Sequence, residues 1–132
     1  MNEEFKIEII NPEKLFISKD DVTEVVLPGY EGEMGILKDH ISIISFLKPG
    51  IIKILAKNEE EKYYVEDGIM EFKDNSLSIL TSSINNIKDM KKNIIEDSLR
   101  DAEKLLNDDK LEDQKKFLIN QKIDALKSLE IN

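Results

Sequence analysis

The stretch LPGYEGEMGILKDH, residues 27 to 40, sets Gly29, Gly32 and Gly35 three residues apart and places Glu31, Glu33, Asp39 and the sole histidine, His40, among them. Several chemistries could use such a set. Regularly spaced glycines can present N–H groups to a phosphate, but that cradle needs a helix N-terminus and gaps free of negative charge. Glu31 and Glu33 fill the gaps, and no Lys-Ser or Lys-Thr follows Gly35. An anion would be repelled. Paired-carboxylate catalysis would require Glu31 and Glu33 to be buried enough to separate their pKa values, whereas a glycine-rich tip is normally wet. A metal site built from Glu31, Glu33, Asp39 and His40 has oxygen ligands but no second histidine or cysteine at a ligand spacing. A Ser-His-Asp arrangement lacks a nucleophile elbow near His40. His40 is therefore read as a hydrogen-bonded structural or interface residue. What remains is conformational: glycines that permit positive φ, an acidic tip, and a return through Ile41–Leu47 to the turn Lys48-Pro49-Gly50. The segment reads as a loop shaped for contact, on a non-catalytic chain.

The elements that position this loop follow from the pattern on either side. From Phe5 to about Ile84, β-branched and aromatic residues cluster in short runs separated by turn residues. Candidate strands are Phe5–Ile10, Lys14–Ser18, Val22–Leu27, Ile41–Leu47, Ile51–Lys57, Lys62–Val65, Ile69–Lys73 and Leu77–Thr81. Breaks are expected at Asn11-Pro12, Pro28-Gly29, Pro49-Gly50, the acidic run from Asn58 to Glu61, Asp67-Gly68 and Asp74-Asn75. All three prolines lie at these breaks, where a missing N–H costs no ladder bond. Alternation in Phe5-Lys6-Ile7-Glu8-Ile9 and in Ile69-Met70-Glu71-Phe72-Lys73 puts one face inward and one in water. Eight or nine strands at this spacing predict a sandwich or flattened barrel.

After Ser83 there is no further glycine or proline, and apolar residues recur every three or four positions. Ile87, Met90, Ile94, Ile95, Leu99, Ala102, Leu105 and Leu106 trace one helical stripe. Leu111, Leu118, Ile119, Ala125, Leu126 and Leu129 trace a second. Asn107-Asp108-Asp109 separates them, and Asp109 with Glu112 has the spacing of a capping box. Two antiparallel helices of about 20 residues each are expected, with apolar faces that must meet each other or a partner.

The chain of 132 residues carries 19 basic and 28 acidic side chains, net -9, the wrong sign for a surface that neutralises phosphates or anionic lipids. Nucleic acid is excluded as a partner class. Residues 1 to 87 hold 9 basic and 17 acidic side chains, and residues 88 to 132 hold 10 and 11, so the acidity belongs to the β half. Lys115, Lys116, Lys122 and Lys127 could face that acidic surface. With no cysteine there is no disulfide or thiolate metal site, and a reducing compartment fits. No apolar run approaches the roughly 20 residues needed to span a bilayer, so any membrane role is peripheral. The start, MNEEFKIEIINPEK, has neither signal-peptide nor transit-peptide character.

Taken together, Leu27-Pro28-Gly29, Glu31-Gly32-Glu33-Met34-Gly35-Ile36-Leu37, His40 and Leu47-Lys48-Pro49-Gly50 resemble the epsilon subunits of bacterial F-type ATP synthases, to which the mitochondrial delta subunit is a counterpart. The resemblance continues through Val65-Glu66-Asp67-Gly68-Ile69-Met70-Glu71 and Ser78-Ile79-Leu80-Thr81. It implies a ten-stranded β-sandwich over residues 1 to 87 and a C-terminal antiparallel helical hairpin over 88 to 132. It implies a rotor subunit attached to gamma, resting on the ring of c subunits and located peripherally on the cytoplasmic side of a bacterial membrane. By position in the motif, Glu31, Gly32 and Glu33 would meet the c-ring and His40 would lie near gamma. The hairpin resembles the family's regulatory element, compact beside the sandwich or extended into the alpha and beta subunits, where it obstructs ATP hydrolysis. Arg100, Lys115, Lys116 and Lys122 would then face beta or gamma. Shifting such a two-state element from 1:99 to 99:1 takes about 5.5 kcal/mol of differential binding.

One departure bears on cofactors. Family members that bind ATP on the hairpin carry Ile or Leu, Asp, two residues, then Arg-Ala. Here the stretch is Met90-Lys91-Lys92-Asn93-Ile94-Ile95, with lysine for the aspartate and isoleucine for the arginine. Arg100 is the only arginine in the chain. Without that bidentate donor, weak or no ATP binding is expected, and no cofactor. Two other readings stand beside the rotor: a free-standing β-sandwich binding module with a helical oligomerisation tail, and a small hydrolase using Glu31, Glu33 and His40. The 6% aromatic content, without tryptophan, argues against a carbohydrate-binding module.

Overall fold

The computed structural model describes residues 3 to 130. Among them nine strands precede the helices: β1 (Phe5–Asn11), β2 (Lys14–Gly29), β3 (Gly32–Ile36), β4 (Ile43–Leu47), β5 (Gly50–Ala56), β6 (Glu59–Val65), β7 (Gly68–Lys73), β8 (Ser76–Leu80) and β9 (Ile84–Asn86). A 3-10 turn (Ile87–Asp89), α1 (Lys92–Leu106) and α2 (Asp113–Glu130) follow.

Nine strands stand where ten were expected, and β2 accounts for the difference. Its first half pairs with β1, Ile17 opposite Ile9. Its second half runs between β3 and β5, with Val25 opposite both Ile36 and Ile54. Register shifts between Ile9 and Ile10 and between Val22 and Glu24 bend it, as bulges do. One strand of 16 residues thus serves both layers, replacing the separate strands expected at Lys14–Ser18 and Val22–Leu27. The first layer runs from the start of β2 through β1, β8 and β7 to β4. The second runs β3, the end of β2, β5, β6 and β9. Strands β1 and β8 pair in parallel, whereas the other pairings are antiparallel.

Period-two alternation fills the space between the layers. Phe5, Ile7 and Ile9 of β1 point inward, as do Ile52 and Ile54 of β5, Met70 and Phe72 of β7, and Leu77 and Ile79 of β8. Phe5 and Phe72 meet edge to face at 5.6 Å.

Three expectations are corrected. Gly32–Ile36, read as part of a contact loop, is strand β3, paired with β2 from Gly29–Gly32 to Val25–Ile36. The acidic run at Glu59–Glu61, read as a break, is the start of β6 and pairs with Ile54–Ala56. The turn is confined to Lys57 and Asn58, both at positive φ (51° and 63°), the geometry of a two-residue hairpin loop. Glu61 is accommodated in the strand because Lys19 and the Tyr63 hydroxyl both donate to it. Strand β4 begins at Ile43, so Ile41 lies outside it.

The helices are 15 and 18 residues long, shorter than expected. The capping box at Asp109 and Glu112 does not form, because α2 starts only at Asp113. Instead Asp108 organises the connection, its Oδ1 accepting from Lys110 N–H at 3.0 Å and its carbonyl from Leu111 N–H at 3.1 Å. Ile87 and Met90, assigned to the first helical stripe, precede α1 but still pack on the hairpin. The hairpin has its own apolar cluster: Ile95, Leu99 and Ala102 of α1 against Ile123, Leu126 and Leu129 of α2. Tyr64 of the sandwich is buried in it.

Candidate functional site

The outer face of the first layer carries an apolar row. Outward positions on these strands are polar along most of their length: Lys6 and Glu8 on β1, Glu71 and Lys73 on β7, Ser76 and Ser78 on β8. At one end the pattern changes. Ile10 lies opposite Leu80, Leu80 opposite Ile69, and Ile69 opposite Phe46, so four strands place four exposed apolar side chains in register. Ile44 is the next outward residue on β4, and a groove of about 270 Å³ runs between Ile10, Ile44, Ile69 and Leu80. Single exposed apolar residues are ordinary, whereas a contiguous row rimmed by charge marks a contact surface.

The β2–β3 hairpin extends this row. Tyr30 and Glu31 form the two-residue connection between the paired Gly29 and Gly32. Tyr30 N–H donates to the Phe46 carbonyl at 3.2 Å, and its ring meets Phe46 at 6.4 Å. Gly32 has a φ of +136°, a conformation that a Cβ would strain. Below the tip, Lys48 N–H donates to the Pro28 carbonyl at 3.0 Å, and Gly50 lies so close that a Cβ there would sit 2.5 Å from Pro28 Cβ. The two turn motifs singled out in the sequence therefore pack on one another. Glu31 is exposed on the turn, and Glu33, opposite Pro28 and also exposed, lines a groove facing α2.

His40 sits on the segment joining β3 to β4. Its backbone N–H donates to the Leu37 carbonyl at 3.1 Å, its Nδ1 lies 2.7 Å from the Ile41 carbonyl, and its ring meets Phe72 edge to face at 5.9 Å. Asp39 and Asn75 exchange two hydrogen bonds (2.6 and 2.9 Å) that tie this segment to the β7–β8 turn. The anchored segment presents Leu37 and Ile41 to solvent. No group of three His, Cys, Asp or Glu side chains among the described residues is arranged to hold a metal.

On the hairpin, Arg100 pairs with Asp97 one turn earlier on α1. Lys115 is exposed, Lys116 is half-buried, and Lys122 reaches Glu66 of the sandwich at 2.9 Å. Lys91, where ATP-binding relatives were expected to carry aspartate, precedes α1 without a side-chain cap. Ile94, in the arginine position, is exposed.

Charge is tuned on β6 and at the corner after β8. Hydrogen bonds from Lys19 and then Tyr63 hold the Glu61 carboxyl below its ordinary range. Burial, with nearby Glu61 and Glu66, pushes the Tyr63 and Tyr64 hydroxyls up. Partial burial alone would raise Asp67, but the Ser82 hydroxyl and N–H and the Thr81 hydroxyl donate to it and hold it below its ordinary range. That network closes the corner after β8.

The apolar row is the feature that sequence reasoning missed. Its signal was present as isoleucine or leucine in the polar phase of a strand: Ile10 after Glu8, Ile69 before Glu71, Leu80 after Ser78.

Residues 4–87 match the family described as ATP synthase, Delta/Epsilon chain, beta-sandwich domain. The ATP synthase epsilon chain of Pelagibacter ubique is 74% identical over 99 residues, covering 75% of this chain and 76% of its own. That of Mesorhizobium japonicum is 34% identical over 93 residues, covering 70% and 68%. In fold, the chain is similar to a chain of the Euglena gracilis mitochondrial ATP synthase structure (OSCP/F1/c-ring in rotational state 1), with a TM-score of 0.81 at 17% identity over 96% of this chain and 81% of that one. It is also similar to a chain of the Tetrahymena thermophila mitochondrial ATP synthase central stalk/c-ring structure, with a TM-score of 0.64 at 16% identity over 93% of each. No helix among the described residues is long and apolar enough to cross a membrane. With the family match spanning more than half of the chain and its two-layer sandwich and hairpin on view, this chain belongs to the ATP synthase delta/epsilon family.

Proposed function

We propose that this chain is the non-catalytic central-stalk subunit of an F-type ATP synthase, coupling ion flow through the membrane ring to ATP synthesis in the catalytic head. The observation that carries the reading is the row Ile10, Leu80, Ile69 and Phe46, continued by Tyr30 and flanked by the acidic turn at Glu31. An apolar face of this kind suits a lasting contact with gamma. An exposed carboxylate beside it suits the polar loops of the c-ring, where charge sets register more than affinity. His40, with Leu37 and Ile41, would extend the gamma contact, and Glu31, Gly32 and Glu33 would form the c-ring edge.

In this reading residues 1 to 87 dock the rotor and residues 88 to 132 regulate it, inhibiting ATP hydrolysis when the hairpin reaches the alpha and beta subunits. Arg100, Lys115 and Lys116 would meet acidic surfaces there, Arg100 after releasing Asp97. Lys122 would first have to leave Glu66. The location is the cytoplasmic side of a bacterial membrane, held through protein contacts. Lys91 and exposed Ile94, standing where ATP-binding relatives carry aspartate and arginine, support weak ATP binding by the hairpin.

Affinity recovery of the tagged chain from a low-salt membrane wash tests the assignment. Gamma, alpha and beta should come with it in fixed proportion. Recovery of the chain alone would favour a free-standing module and sink the rotor reading.

A further inference from the structure

Strands β7 and β8 are joined by Asp74 and Asn75, between the paired Lys73 and Ser76, with φ of 52° and 58°. A two-residue hairpin loop of this kind requires left-handed backbone at both central positions, which asparagine tolerates and glycine adopts freely. The turn itself therefore makes no use of the Asn75 amide. That amide is bonded to a residue 36 positions earlier: its Oδ1 accepts from the Asp39 N–H at 2.6 Å, and its Nδ2 donates to Asp39 Oδ1 at 2.9 Å. The Asn75 carbonyl accepts from Lys6 N–H at 3.1 Å, so the turn is in turn tied to β1.

Asp39 also stands at a positive φ, 66°. Residues 37 to 42, between β3 and β4, belong to no strand, so hydrogen bonds must set their shape. His40 N–H donates to the Leu37 carbonyl, and because a carbonyl only accepts, the His40 Nδ1–H donates to Ile41. The Asn75 amide grips Asp39 between them. Leu37 and Ile41 are exposed, so burial of these two side chains does not hold the segment. In sequence they lead into Ile44 and Phe46, the exposed apolar residues of β4.

We propose that Asn75 is a positioning residue for partner docking: its amide braces Asp39 so that the segment from Leu37 to Ile41 already has its binding shape when gamma arrives. Gamma as the partner is taken from the rotor reading, on which this role rests, whereas Asn75 itself lies outside the apolar row. A segment ordered in advance spares the contact the entropy of ordering it.

The test uses the full-length chain and purified gamma. Asn75→Gly keeps the turn, since glycine adopts a φ of 58° freely, and deletes the amide. Its urea midpoint should stay close to the parent's, hydrogen exchange at the Asp39 amide should accelerate, and gamma affinity by titration calorimetry should fall about three- to tenfold. Asn75→Asp keeps the acceptor but sets a second carboxylate against Asp39, and should also weaken binding. Adding Asp39→Asn supplies the reversed donor at the parent's net charge and should restore it. Parental affinity in Asn75→Gly, or a double variant as weak as Asn75→Asp, would overturn the brace and leave the rotor reading standing. A parent chain that does not bind gamma would remove both.

Discussion

Phe46 of β4 and Ile69 of β7 sit directly opposite each other and both face away from the core, Phe46 with 63% of its surface exposed. A sheet needs neither side chain there for its own packing, so their value lies in what covers them. Phe46→Glu or Ile69→Glu should leave thermal unfolding within a few degrees of the parent, since exposed substitutions shift stability by only about 0.5 kcal/mol. Binding to gamma should weaken by about tenfold or more if these residues lie at the centre of the contact. Titration calorimetry against purified gamma checks both halves. Unchanged affinity would remove the row from the interface.

Gly50 packs against Pro28, and the contact can be tested without touching the exposed face. An added Cβ would stand 2.5 Å from Pro28 Cβ and 3.0 Å from its Cγ. The proline ring cannot swing aside as a flexible side chain would, so Gly50→Ala should destabilise by about 1–3 kcal/mol through overpacking. Gly35→Ala, where an added Cβ meets nothing within 4 Å, serves as the control. Urea midpoints of the two variants should separate clearly.

Much of the sandwich was legible because Ile7 and Ile9 alternate with Lys6 and Glu8, and Met70 and Phe72 with Glu71 and Lys73. Period two is local information. The merging of two expected strands into β2 was not legible, since it depends on bulges and on which partner each half of the strand finds. Glu59–Glu61 misled because acidic side chains disfavour strands locally, while Lys19, from a distant part of the chain, compensates Glu61. Register explains the missed apolar row. Ile10, Phe46, Ile69 and Leu80 are scattered over 71 positions, and only strand pairing makes them neighbours. Glu31 and His40 were found as motif residues, but their roles came from family resemblance rather than from their spacing.

The Asp67 corner predicts a pH dependence. Its carboxyl is held below the ordinary value of 3.8 by donation from Ser82 and Thr81, against the opposing effect of burial. A carboxyl harder to protonate in the folded state stabilises fully above the unfolded pKa, and that contribution is lost as pH falls through the lower folded value. Asp67→Asn should therefore cost about 0.5–1 kcal/mol at neutral pH, a modest sum because the group is largely solvated. Below the folded value the two proteins should unfold at nearly the same urea concentration. A constant difference across that range would show that the charge is not what closes the corner.

The separateness of the two apolar clusters predicts how the chain comes apart. Leu126 is fully buried, and its neighbours belong to the hairpin, whereas Ile7 and Ile54 are fully buried in the sandwich cluster. Leu126→Ala should cost about 2–5 kcal/mol of hairpin stability by the usual cavity penalty. Sandwich amides should keep their hydrogen-exchange protection, because the sandwich contributes only Tyr64 and Ile51, of the described residues before Ile87, to the hairpin's apolar cluster. Removing residues 88 to 132 altogether should expose those two side chains yet leave the sandwich folded and able to bind gamma, since no residue of the outward row lies on the hairpin. Loss of sandwich protection in Leu126→Ala, or loss of gamma binding by the truncated chain, would mean that the clusters fold as one unit and that the hairpin is part of the docking platform.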